Sequence, residues 1–262
     1  MAQRTEERIA HGALVFVAPH PVLAELARDL ARGITDPAVM ALPVDILVGL
    51  HRLRPRLPAR GRRQLGIQTE QIRDAEGRPM WKKVRPGRLR KHLLACHRVL
   101  DLSVSNAPVY GLAGRLLRHR LDFGPYVFPQ RIPDFVPGKE AVFFGAANDR
   151  RADLVARHGI RMLPNGVFGA ALAAELAGAA AVVNLHYTEG VYTEAPRLLA
   201  ACLAGKPVMS EPLAPPLVAG RHYLPLGPLP TQPDLAALQA RFATEIAARH
   251  RFAEILLKMR RA

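Results

Sequence analysis

Two short apolar runs in the second half of the chain are each followed by side chains that can hydrogen-bond or carry a charge. These side chains are His186, Tyr187, Glu189, Glu194, Ser210 and Glu211. Apolar runs of this length are typical of strands buried on both faces of a parallel sheet. Open parallel sheets bind ligands at the carboxyl ends of their strands. The sequence therefore predicts that these residues converge on a polar ligand site.

A helical pattern lies between the two runs, residues 181–185 and 208–210, and completes a strand–helix–strand unit. Thr193 is predicted to cap the helix N-terminus, because its hydroxyl can accept a hydrogen bond from a backbone N–H of the first turn. Glu194 falls in that turn, where the helix dipole favours a negative charge. The predicted unit places the polar residues at one edge of the sheet.

This unit resembles the C-terminal half of bacterial glycosyltransferases with the two-lobed fold known as GT-B, and is similar to the CgeB-like branch of the group 1 glycosyl transferases. The residues that carry the resemblance are His186, Tyr187, Glu194, Arg197, Gly205, Pro207, Val208, Ser210 and Glu211. A second family element, Phe-x-Gly-x-x-Asn-x-Arg-Arg, is matched by Phe143, Gly145, Asn148, Arg150 and Arg151. One departure is Ala200, which stands where retaining members usually have a glutamate that holds the nucleotide ribose.

The resemblance implies an α/β protein with two Rossmann-like lobes and a long C-terminal helix. Its predicted parts are an N-terminal lobe on the acceptor side (1–130), a C-terminal lobe on the nucleotide-sugar side (141–230) and an amphipathic helix (234–262). The prolines between residues 129 and 139 favour a linker, because proline resists both helix and central strand. Alternating apolar runs and helical patterns predict parallel strands at 141–144, 160–163, 181–185 and 207–209. The apolar run 38–42 predicts a further strand in the first lobe.

The resemblance also implies the reaction, which is transfer of a sugar from a nucleotide-sugar to an unknown acceptor. Such a reaction needs positive charge or helix N-termini on the leaving diphosphate, and it often proceeds without a metal. We therefore expect neither a metal nor a cofactor besides the nucleotide-sugar substrate. Glu194 is the main catalytic candidate, and His20 or Glu70 is the candidate base for an inverting reaction. The predicted donor-binding residues are Gly145, Asn148, Arg150, Arg151, His186, Tyr187, Glu189, Thr193, Arg197, Ser210 and Glu211.

A second class of function stays open from the same sequence. Ala200 in place of the ribose-holding glutamate, together with a short first lobe, fits a non-catalytic binding or scaffold protein that kept the fold. The sequence therefore leaves two hypotheses, an active glycosyltransferase and a relative that binds without turnover.

The formal net charge of +15 is concentrated in one region. Residues 51–98 contain fifteen Lys or Arg and three Asp or Glu, a local net charge of +12. The region fits a solvated basic surface, or one that attracts a nucleotide-sugar, an anionic membrane or an acidic polymer. Nucleic acid is disfavoured, because Trp81 is the only Phe, Tyr or Trp in the region and no nucleic-acid-binding motif is present.

The remaining composition favours a cytoplasmic protein, with peripheral association at the inner membrane face as a further expectation. No apolar run approaches the ~18 residues of a membrane span, and residues 1–12 are too polar for a signal peptide. The two cysteines, Cys96 and Cys202, lie in unrelated helical patterns, which favours a reduced setting.

Overall fold

The computed structural model of the protein describes residues 6–80 and 84–260. Backbone contacts divide the chain into two compact units, each of which is α/β. The first unit comprises Met1–Gln130 and His250–Ala262, and the second comprises Arg131–Arg249. Among the described residues, no helix combines the length and the hydrophobicity that crossing a membrane requires.

The first unit is built on a mixed sheet whose strands follow the order of the chain, β1 to β6. Up to residue 130 its elements are β1 Glu7–His11, β2 Leu14–Ala18, α1 Pro21–Arg32, α2 Pro37–Met40, β3 Val44–Val48, β4 Arg63–Gln68, α3 Pro86–Ala95, β5 Arg98–Asp101, α4 Gly111–Leu116 and β6 Leu121–Phe123. β1 pairs antiparallel with β2, and the strands from β2 to β6 are parallel. β1 is not apparent from the sequence, because most of its side chains are exposed and polar residues alternate irregularly with apolar ones.

One local prediction for this unit is wrong. Residues 38–42 were expected as a strand, but Pro37–Met40 forms the short helix α2. The Asp36 side chain accepts a hydrogen bond of 2.8 Å from the backbone N–H of Ala38, and Pro37 supplies a φ suited to a first helical turn. The cap and the proline therefore outweigh the apolar pattern.

The second unit is built on a parallel sheet with the strand order β11-β10-β9-β7-β8. Its elements are β7 Glu140–Phe143, α5 Asp149–Arg157, β8 Arg161–Met162, α6 Gly169–Ala177, β9 Ala179–Asn184, α7 Ala195–Leu203, β10 Val208–Ser210, β11 Leu224–Pro225 and α8 Gln232–Glu245. Every described pair of neighbours in this sheet is parallel, as the sequence predicts. The strand β9 is fully buried, which explains why its sequence is a continuous apolar run that only Asn184 interrupts.

The predicted single helix over residues 234–262 is interrupted. It consists of α8, a 3-10 turn at Ala247–Arg249 and a separate helix α9 at Phe252–Arg260. Phe128 donates its backbone N–H to the carbonyl oxygen of His250, and its own carbonyl accepts the N–H of Phe252. These strand-like bonds take backbone groups that a continuous helix would need. Residues 261–262 of the prediction lie outside the described residues.

Candidate functional site

The strand order of the second unit reverses direction at β7 and β9. The chain goes from β7 to β8 on one side, then returns to place β9 on the other side of β7. At such a reversal the loops after the two strands diverge and leave a crevice at the carboxyl edge, where open α/β sheets bind ligands. The loop after β7 carries Gly145 to Asn148 and leads into the first turn of α5, which carries Arg150 and Arg151, and the loop after β9 carries His186 to Glu194. Most of the predicted donor-binding residues therefore lie at this edge.

Asn148 ties the two loops together. Its side-chain oxygen accepts a hydrogen bond of 2.9 Å from the backbone N–H of Arg151 and so caps α5. Its side-chain amide donates to the carbonyl oxygen of Tyr187 at 2.8 Å. Gly145, on the same side, has a φ of +127°, and a Cβ there would lie only 3.0 Å from the Arg197 guanidinium. The glycine therefore allows both the turn and the close approach of that arginine.

Glu194 bridges two buried arginines. Its Oε1 accepts a hydrogen bond of 2.9 Å from Arg151, and its Oε2 accepts one of 2.5 Å from Arg197. Arg151 is 4% exposed and Arg197 8%. Arg151 also donates to the carbonyl oxygen of Leu185 at 2.6 Å, and Arg197 donates to the side-chain oxygen of Asn184 at 2.7 Å. One carboxylate thus holds two guanidiniums at the base of the loops.

The two arginines carry one more positive charge than Glu194 compensates. Both guanidiniums lie over the ring of Phe143, at 5.3 Å for Arg151 and 5.0 Å for Arg197, a geometry that favours cations. Burial lowers the pKa of Arg151, Glu194 opposes that change, and the like charge of Arg197 adds to it. The base of the site is therefore electropositive.

Arg150 and Glu211 form a second ion pair, in which the arginine is more exposed than Arg151. Arg150 donates to both oxygens of Glu211, one of them at 3.0 Å, and to the carbonyl oxygen of His186 at 2.9 Å. Glu211 also accepts the backbone N–H of His186 at 2.7 Å. Burial raises the pKa of Glu211, but the bonds from Arg150 and His186 outweigh it and hold the pKa below its usual value. This pair links the end of β10 to the loop after β9.

His186 is neutral and internal to the site. Its Nδ1 lies 2.9 Å from the carbonyl oxygen of Gly190, so we assign the proton to Nδ1. Burial lowers the pKa of the imidazole, chiefly because the charged form would lose its hydration. The ring stacks on Tyr192 with centroids 4.0 Å apart. His186 therefore shapes the loop and supplies no positive charge to a ligand.

Ser210 and Glu211 border a pocket of about 180 Å³ at the carboxyl ends of β10 and β11. The pocket is lined by Ser210, Glu211, Pro212, Ala219, Tyr223, Pro225 and Leu226. Ser210 and Asn184 are joined by two hydrogen bonds, of 2.9 and 3.2 Å. The sequence missed Asn184, Tyr192 and Tyr223 as contributors, although an asparagine inside an apolar strand is a signal for a buried polar contact.

The structure corrects the role of Thr193. The helix α7 begins at Ala195 and its N-cap is Glu194, so Thr193 stands one residue too early to cap it. The Glu194 side chain makes no cap hydrogen bond, because its carboxylate is held by the arginines.

The other two predicted residues of the loop after β9 differ in their surroundings. Glu189 is exposed on that loop, and the ring of Tyr187 lies 5.3 Å from the Arg151 guanidinium.

His20 and Glu70, the candidate bases, belong to the first unit. Both follow strands of its sheet, His20 after β2 and Glu70 after β4. The Nδ1 of His20 accepts the backbone N–H of Val22 at 3.3 Å, so this histidine caps α1. The Glu70 carboxylate lies 3.4 Å from the Nε2 of His51. Within the first unit, both side chains therefore have local structural partners.

The sequence matches no protein-family model, and no characterised protein matches it either. Within residues 6–80 and 84–260, no group of three or more His, Cys, Asp or Glu side chains is placed to hold a metal ion. The functional argument therefore depends on the geometry of the described residues.

Proposed function

We propose that the protein is a glycosyltransferase of the GT-B type that takes its sugar from a nucleotide-sugar. The observation that carries the proposal is the pair of buried arginines that share one glutamate at the carboxyl edge of β7 and β9. A nucleoside diphosphate is the common anionic group of such donors, and a surplus of buried positive charge favours it. The start of α5 at Asp149, after β7, adds partial positive charge at the same edge.

Arg150 is the side chain best suited to contact the diphosphate. It is more exposed than Arg151 and Arg197, and its guanidinium forms a bidentate pair with Glu211. A guanidinium binds carboxylate and phosphate with the same forked geometry, so Arg150 can exchange one for the other. Arg151 and Arg197 act at longer range, because their hydrogen bonds hold the loops together. The assignment of His20 or Glu70 as the base for the acceptor stays a prediction of the resemblance.

The first test is binding of nucleoside diphosphates and nucleotide-sugars, measured as a rise in melting temperature. A ligand that binds only the folded state adds about 3 kcal/mol at a hundredfold excess over its Kd. Arg150→Met should weaken binding at least tenfold, which corresponds to about 1.4 kcal/mol. Arg157→Met is the matched control, because Arg157 is exposed at the other end of α5 and should leave binding unchanged. No stabilisation by any nucleotide would refute the proposal.

A second candidate function is a non-catalytic nucleotide-binding relative. The observation that favours it is that both carboxylate oxygens of Glu194 already accept hydrogen bonds from arginines. The two candidates differ in turnover. Release of free nucleoside diphosphate from the stabilising nucleotide-sugar supports the transferase. Binding without any release or transfer supports the non-catalytic relative.

A further inference from the structure

The helices α3 and α4 of the first unit expose large apolar side chains to solvent. Leu94 on α3 is 63% exposed, and Leu112 and Leu116 on α4 are each 70% exposed. Leu112 and Leu116 are four residues apart, so they lie on the same face of α4. Exposed apolar side chains that cluster in this way mark interaction surfaces more often than isolated ones do.

The outward faces of α3 and α4 are neighbours. The inward faces pack into one cluster, in which Leu89 and Leu93 of α3 join Val109 and Tyr110 before α4. Arg90 of α3 donates to the carbonyl oxygen of Val109 at 3.1 Å. The exposed leucines of the two helices therefore belong to one surface, which we call the α3–α4 face.

The α3–α4 face is also cationic. Arg90, Lys91 and Arg115 are exposed on it. Lys91 and Arg115 form no ion pair with any residue in the described ranges 6–80 and 84–260. From residue 77 to residue 121 the only Asp or Glu is Asp101, and its side chain is fully buried. No neighbouring acid in sequence thus neutralises these cations.

We propose that the α3–α4 face docks the protein on the surface of a membrane that contains anionic phospholipids. The leucines would enter the boundary between headgroups and acyl chains, while the cations bind the phosphates. An acidic polymer would attract the cations but would leave the leucines in water. A second copy of the same face would bring like charges together. The combination of leucines and unpaired cations therefore favours a lipid surface, and it is independent of the proposed transferase activity.

The test measures partitioning of the full-length protein onto phosphatidylcholine vesicles with and without phosphatidylglycerol. We expect binding that requires phosphatidylglycerol and weakens as salt increases. The pair Leu112→Ser and Leu116→Ser should lower the partition coefficient by about tenfold. The pair Lys91→Gln and Arg115→Gln should lower it by about tenfold and reduce its salt dependence. Val22→Ser on α1 and Arg8→Gln on β1 change exposed residues elsewhere in the unit and should leave it unchanged.

Two outcomes would overturn the proposal. One is the absence of binding to phosphatidylglycerol vesicles. The other is full binding by the leucine variant at a native melting temperature, because it would mean that charge alone attracts the protein, as it would to a soluble polyanion. If the leucine variant does not fold, the charge variant decides, and unchanged partitioning of that variant likewise contradicts the proposal.

Discussion

Replacing Glu194 with glutamine tests the bridge at the base of the site. Glutamine keeps the size of the side chain, but its amide group meets guanidinium N–H groups, which are also donors. The change removes one charge-assisted hydrogen bond and leaves Arg151 and Arg197 buried without a counter-charge. The Glu194 side chain is only 23% exposed, so solvent offers limited compensation. We expect the free energy of unfolding to fall by about 3 kcal/mol.

A loss of this size in the free energy of unfolding would distinguish a glutamate that bridges two arginines from one that only interacts with the start of a helix. A glutamate that only interacts with the helix dipole contributes about 0.3–1 kcal/mol. Glu211→Gln should also cost well over about 1 kcal/mol, because the Glu211 side chain is 11% exposed and accepts hydrogen bonds from Arg150 and from the backbone N–H of His186. Glu189→Gln, on the exposed loop, should cost less than about 0.5 kcal/mol.

The assay is urea unfolding followed by circular dichroism, with the melting temperature as a second measure. A loss of about 3 kcal/mol corresponds to a fall of roughly 10 °C for a chain of this size. The reasoning would be refuted if Glu194→Gln lost no more stability than Glu189→Gln. Donor turnover, measured on the same variant under conditions in which it is folded, then shows whether Glu194 has a chemical role as well.

Three further variants test other parts of the structure. Lys206→Met removes a buried ammonium that donates to three backbone carbonyls and should cost about 2 kcal/mol in urea unfolding, whereas Lys139→Met at the surface should cost almost nothing. Gly205→Ala should cost about 2–3 kcal/mol by the same measurement, because its φ is +65° and a Cβ would overlap a carbonyl oxygen; Gly220→Ala, with a φ of +72° but free space, should cost about 1 kcal/mol. Burial raises the pKa of Asp101 to about 7, above its ordinary 3.8, so the folded state holds a proton that the unfolded state has lost. The stability that this proton contributes is complete below pH 3.8 and falls by up to about 4 kcal/mol as the pH rises to 7. The asparagine of Asp101→Asn has no proton to lose, so the free energy of unfolding of this variant, measured in urea, should lack this fall.

Local sequence determined most of the second unit. Its buried strands read as apolar runs, since a parallel strand covered on both faces needs apolar side chains at every position. Its turn glycines and helix patterns separated those strands, and most of the polar residues that follow β7, β9 and β10 were recognised, although Tyr192 was missed. The sequence could therefore place the candidate residues at one edge of a parallel sheet.

Local sequence predicted the helices and strands less well where they depend on hydrogen bonds to backbone groups far along the chain. The helix predicted over 234–262 has a continuous apolar stripe, but its interruption depends on hydrogen bonds to Phe128, more than a hundred residues away. The hairpin strand β1 is stabilised by its pairing with β2 and not by burial of its own side chains. A pattern read along the chain contains neither kind of information.

Only the tertiary structure decided what the charged residues of the site do. From the sequence, Arg150 and Arg151 look equivalent, and Glu194 looks free to bind a sugar. In the fold, Arg151 is buried against Glu194, which is 43 positions away. Arg150 pairs with Glu211 and is more exposed than Arg151. The reason is that β7 and β9 are neighbours, so that their loops lie at one edge of the sheet and Asn148 ties them together, and this sets which charges lose their water and must find a partner. Sequence thus determined which residues reach the carboxyl edge of the sheet, and the packing of the loops determined which of them remain available to a ligand.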